Sequence, residues 1–222
     1  MRLLIFLVGI VAPAFAAVPP EFMSALGKFR PDPPPGWSFT QTTTGEGHSM
    51  VERSNATQPE SARWSLLGKD GRVPTPDEAR HYGDGRSLRS RGGTAPSLTD
   101  QLDLDSAEIV ADDAERVTCR FRLRPGEDRD HTSKFLRAIV VIHKATRTFE
   151  SIELANTGEF SPTFGVRIVE MNTKMIYSLP AETAPSLIQR VDTRMRGTAF
   201  WFKSLDSAMS VVFSDYARTQ KH

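Results

Sequence analysis

The chain has 222 residues, of which 28 are Lys or Arg and 27 are Asp or Glu, for a formal net charge of +1. That balance excludes a nucleic-acid binder, whose affinity comes from clustered cations neutralising phosphates. The lone Cys119 excludes an internal disulfide framework and any multi-cysteine zinc site.

The first sixteen residues read as an export signal. Arg2 supplies a positive start, Leu3 to Val11 is apolar apart from Gly9, and Ala14-Phe15-Ala16 fits the small-x-small cleavage pattern. Cleavage is expected between Ala16 and Ala17, and removal of Arg2 leaves a formally neutral chain. No Cys follows the apolar run and no twin-Arg pair precedes it, so the expected route is Sec-type export of an unlipidated protein to the periplasm or medium. No later segment is long and apolar enough to span a bilayer as a helix, so no transmembrane segment is expected after cleavage.

Residues 17–36 are Pro-rich, with a short helix expected over about Pro20 to Gly27. Beyond them the pattern predicts one β-rich domain over 37–222. Strands are expected at Trp37 to Thr44, Ser49 to Ser54 and Arg63 to Leu67, with turns at Gly45-Glu46-Gly47 and Asp70-Gly71. Thr75-Pro76-Asp77-Glu78 opens a helix with a capping box, ending near Gly83. Gly85, Gly92, Gly93 and Pro96, with no hydrophobic period, predict a mobile loop at about 83–97.

Strands then follow one another. Glu108 to Ala111 and Glu115 to Leu123 flank a turn at Asp112-Asp113. Val117, Cys119 and Phe121 alternate onto one face, which makes Cys119 a core thiol. Ala138 to Ile142 is nearly continuous in apolar residues, as a central strand is. Further strands are expected at 147–154, 164–169, 173–179, 187–191 and 193–203. Within the last of these, Gly197 to Phe202 is the most aromatic stretch and is expected in the core. Ala208 to Tyr216 fits a strand or a helical face. The sum is a mainly β protein: a large curved antiparallel sheet or incomplete β-barrel with one or two short helices.

No catalytic motif emerges. Glu127-Asp128-Arg129-Asp130-His131 gathers carboxylates and an imidazole, but the spacing matches no calcium loop. Asp103 and Asp105 share a strand face, as paired carboxylates of a glycoside hydrolase could. His143 ends an apolar strand with no nucleophile beside it, and Asn55-Ala56-Thr57 is a formal glycosylation sequon. No cofactor motif and no metal motif is present in the sequence. Arg80, Arg86, Arg89 and Arg91 form a local basic cluster, which reads as a solvated loop or as a contact for an anionic partner such as a lipid head group or glycan.

Arg63-Trp64-Ser65-Leu66-Leu67 with Asp70-Gly71-Arg72 and Pro74-Thr75-Pro76 resembles secreted proteins of Gram-negative bacteria that have no assigned activity. So do Phe160-Ser161-Pro162, Gly165-Val166-Arg167-Ile168 and Arg196-Gly197-Thr198-Ala199-Phe200-Trp201. More loosely, the export signal and succession of strands are similar to the periplasmic lipoprotein carriers of the LolA and LolB kind. That resemblance implies a curved, incomplete barrel over helices with a concave face that holds acyl chains. It differs in the basic cluster and in lacking a carrier-specific motif. The expected function is therefore a non-enzymatic periplasmic carrier of an apolar or amphipathic envelope ligand, lipid or acylated. Val140, Ile142, Phe200, Trp201 and Phe202 are its expected lining. The alternatives are an envelope assembly partner without a small ligand, and a carboxylate-dependent hydrolase of envelope material.

Overall fold

An alternating strand has one apolar and one polar face, and a sheet of such strands must cover its apolar side. The computed structural model describes residues 18–31, 33–89, 98–126 and 132–219. It consists of β1 (Trp37–Gly45), β2 (His48–Ser54), β3 (Trp64–Lys69), β4 (Leu102–Asp112), β5 (Arg116–Leu123) and β6 (Leu136–His143), then β7 (Thr148–Asn156), β8 (Val166–Tyr177), β9 (Ile188–Ala199), β10 (Lys203–Ser204) and β11 (Ser207–Arg218). The helices are α1 (Pro20–Lys28), α2 (Pro76–Arg89) and the single turn α3 (Leu98–Gln101). The strands make one open, curved, 11-stranded antiparallel sheet in the order β3-β2-β1-β11-β9-β8-β7-β6-β5-β4, with β10 on β9. The expected mainly β architecture is what forms.

Register assigns the faces. Phe121, Val140 and Ile152 fall on one side with Met175, Val191, Val211, Thr43 and Met50, each facing its neighbour through the ladder or two residues along it. This inner face carries the core. The outer face carries a lattice of cross-strand ion pairs: Arg120 with Glu108 at 2.6 Å, Arg122 with Asp103 at 3.3 Å, and Arg194 and Arg196 with Glu170. Exposed pairs of this kind contribute little individually, but they keep the outer face wet and the register unambiguous.

The inner face is closed in three places. The first cover is α1, which opens with Pro at its first position and lays Phe22 and Ala25 onto β6 and β7. Phe22 packs at a tilt against Phe121 and Phe149, and Phe29 continues the contact to Phe149 and Tyr177. A second cover lies where β6 begins and β7 ends: Leu136, Phe160 and Ile168 are buried, with Phe135, Leu154 and Met171 against them. Thirdly, Trp37, Phe39, Trp64, Phe213 and Tyr216 pack edge to face and tilted at the start of β1. Burial holds the Tyr216 hydroxyl above its usual range, and it donates to the Ile188 carbonyl at 2.6 Å.

Several expectations need correction. Residues 83–89 are helical, so α2 runs beyond Gly83 instead of giving way to a loop. A helix interior Gly costs roughly 1 kcal/mol, yet this helix is anchored strongly at its start. The Thr75 hydroxyl accepts from the Glu78 amide, and the Glu78 carboxylate accepts from the Thr75 amide, completing the expected capping box. Glu78 is also held by Arg72 at 2.7 and 2.8 Å and by Lys69 at 2.9 Å, which depress its pKa far below the carboxylate range. The breaks expected at Glu170 to Asn172 and at Asp192 do not occur: β8 and β9 are continuous, with register shifts in their pairing between Ile168 and Glu170 and between Ile176 and Tyr177. The last segment is a strand. Residues 200–202 leave the sheet in a turn, where Phe200 and Trp201 both have positive φ. The export signal, residues 90–97 of the expected loop and Glu127 to His131 lie outside the described residues. No described helix is long and apolar enough to cross a membrane.

Candidate functional site

The three covers leave one corner of the inner face open. It lies at the end of the sheet that holds the β1–β2 turn, across β3, β2, β1, β11 and β9. The cavity there has a volume of about 500 Å³ and mostly apolar walls, with Thr43, Met50, Thr193, Ala208 and Met209 among its lining. These side chains meet because of register: Thr43 pairs with Met50 on one side and Val211 on the other, and Met209 pairs with Thr193. Further along the same face, Met171 pairs with Met195 and Met175 with Val191. Thus Met50, Met171, Met175, Met195 and Met209, five of the chain's seven methionines, share the inner face. Thioether side chains are unbranched and polarisable, and they adapt to irregular apolar partners. Met209 remains 45% exposed.

The rim of the corner is polar. Glu46, His48, Lys69 and Asp70 line it where β1 turns into β2 and where β3 ends. Both turns use consecutive left-handed residues, Glu46-Gly47 and Asp70-Gly71, which suits tight hairpins. Asp70 accepts from the Ser49 amide at 3.0 Å, and that bond, with the neighbouring His48, keeps its carboxyl below the ordinary range. His48 sits 3.3 Å from Asp70. A His–Asp pair can orient a general base, but His48 bonds no hydroxyl among the described residues and is 81% exposed at its side chain. The arrangement is a charged rim over an apolar floor.

A polar cluster flanks the corner under α2. Glu52 on β2 is buried on the inner face, accepts from the Tyr82 hydroxyl at 2.5 Å and accepts from the Gln41 amide at 3.1 Å. It links the helix to the sheet beside the opening.

The five residues expected to line a ligand site are not brought together. Val140 and Ile142 are fully buried beneath α1 in the core. Phe200, Trp201 and Phe202 project from the β9–β10 turn, with Trp201 83% and Phe202 87% exposed. Of the basic cluster, Arg80 pairs with Asp77 at 2.8 Å, Arg86 and Arg89 lie on the last turn of α2, and Arg91 falls outside the described residues. Asp103 is tied to Arg122, while Asp105 lies on the edge strand β4. His143 bonds Thr146 at 2.8 Å. Among the described residues no group of three or more His, Cys, Asp or Glu is placed to hold a metal. Met recurs in the segments that form β2, β8, β9 and β11, but that recurrence alone does not point to the open corner. Nothing local says that those strands stand in register.

No family model matches the chain, and no curated protein sequence does. Among solved structures it is similar to a LolA superfamily protein from Nitrosomonas europaea, 11% identical, covering 91% of this chain and 93% of that one with a TM-score of 0.37. It is also similar to a putative outer membrane lipoprotein-sorting protein domain from Vibrio parahaemolyticus, 9% identical over 90% of this chain and 93% of that one, again at 0.37. Superposition at that level carries no ligand or role across, and the functional reading rests on the site itself.

Proposed function

We propose that the protein is a non-enzymatic carrier of the cell envelope that holds an amphipathic, acyl-bearing ligand in the open corner of its inner face. The observation that carries this reading is the cavity of about 500 Å³, apolar at Met50 and Met209 and charged only at its rim. Small-ligand sites are concave, mostly apolar and about 300–1,000 Å³ in size. The acyl chain lies along the methionine floor, and the polar head stays at Glu46, His48, Lys69 and Asp70. Export to the periplasm, read from residues outside the described structure, supplies the compartment where such ligands need a carrier.

The test is a titration of delipidated protein with a fluorescent long-chain fatty acid. Saturable binding, competed by unlabelled fatty acid and lost in Met50→Lys/Met209→Lys, is expected. Absence of binding to folded protein, or equal binding by the double variant, overturns the reading.

A further inference from the structure

The β9–β10 turn is the most exposed apolar feature among the described residues. Phe200 is 55% exposed and Trp201 and Phe202 far more, and they are joined by Phe164 at 86% from the connection between β7 and β8. The two loops are locked together. The Phe200 amide donates to the Gly165 carbonyl at 2.6 Å, and the Phe200 ring lies over Gly165, where a Cβ would come within 3.0 Å of it. Gly165 therefore has two reasons to be glycine, its φ of +76° and the ring above it. Phe200 and Trp201 take consecutive left-handed conformations, with φ of 50° and 64°. The other two such turns use Gly at the second position, whereas here two bulky aromatics adopt the disfavoured geometry. The result is a firm tip that holds aromatic rings out of the fold.

We infer that this tip docks the protein on a lipid bilayer, with Trp201 and Phe202 entering the interfacial region. Trp is the side chain most suited to that depth, because its ring is apolar and its N–H stays near the head groups. Lys203 follows directly, exposed and without an ion pair among the described residues, where it meets anionic head groups. The rings stand on a projecting tip built from two loops, and a bilayer accepts such rings singly. The tip stands at the same end of the sheet as the open corner: Ser207 and Ala208, three and four residues after Ser204 of β10, line the cavity. Docking stands independently of what the corner carries, because the tip contributes no wall to it.

The experiment is vesicle flotation with phosphatidylethanolamine and phosphatidylglycerol, comparing the full chain with Trp201→Ser/Phe202→Ser. Both residues are so exposed that the fold is not at stake, and circular dichroism checks this. The chain should float, brominated acyl chains should quench the fraction of Trp emission absent from the variant, and the variant's partitioning should fall by about tenfold or more. Fatty-acid binding in the corner should be unchanged in that variant, which separates failure of docking from failure of the carrier reading. Equal flotation of both proteins overturns docking, as does no flotation of the folded chain. Self-association that the double variant abolishes, without flotation, assigns the tip to a second copy instead.

Discussion

The inner face has two kinds of surface, and they differ in what covers them. Over β5 to β8, Phe22 and Phe29 of α1 and its following residue fill the hollow, and Phe121, Val140, Ile142 and Cys119 lose nearly all contact with water. Over β1, β2, β9 and β11, the same alternation of side chains produces a similar apolar floor, but among the described residues no helix comes down on its far end. The buried centre of the first surface is branched and aromatic, whereas the corner of the second carries Met50, Met209, Thr43 and Thr193. Among the described residues α1 plugs one half of the curved sheet, the aromatic cluster at the start of β1 closes part of the other, and one corner stays open. Rigid, interlocking side chains suit the covered half, and the unbranched thioethers of Met50 and Met209 adapt more readily to irregular neighbours.

Substitutions should separate the two surfaces by their cost. The largest effect is expected from Phe22→Ala. It removes a ring within 4.6 Å of Phe121 and 5.7 Å of Phe149 and leaves a cavity under α1. Loss of about 3–5 kcal/mol should appear as a lower midpoint in urea unfolding. A change of under 1 kcal/mol would show that α1 is not the plug of this half.

Cys119 comes next. Replacement by Ser places a hydroxyl among Phe121, Val140 and Phe22 and should cost on the order of 1–3 kcal/mol. The native thiol should resist a maleimide that labels it at once after denaturation. Burial pushes this thiol up to about 11 from an ordinary value of 9.0. The folded state therefore keeps its proton where the unfolded state has lost it. The stabilising contribution is complete below pH 9 and disappears as pH rises through 11. Cys119→Ala should remove that part of the alkaline slope, seen by comparing unfolding curves of the two proteins.

The contrast between the two surfaces was only partly legible in the sequence. Alternation at Val117, Cys119 and Phe121 and the apolar run at Ala138 to Ile142 identified core strands, because burial on one face leaves a local period. The capping box at Thr75 and Glu78 was legible for the same reason: its bonds span three residues. Aromatic content misled at Phe200 to Phe202. A strand and a solvent-facing tip can have the same composition, and neither Gly nor Asn marked the left-handed turn. The open corner was not legible at all. Met50, Thr193 and Met209 are brought together by a sheet order in which β1 pairs with the last strand, and no local pattern encodes that pairing.

The smallest effect on stability, and the most direct test of the account, belongs to the open corner. Met50→Lys/Met209→Lys replaces side chains that already reach solvent and should change stability by less than about 1 kcal/mol. Native mass spectrometry of the protein purified from the envelope fraction should show a second species heavier by one acyl lipid, and the double variant should show the bare chain alone. A bare chain in both preparations, or the same adduct in both, would contradict the claim that this corner is where the protein carries its ligand.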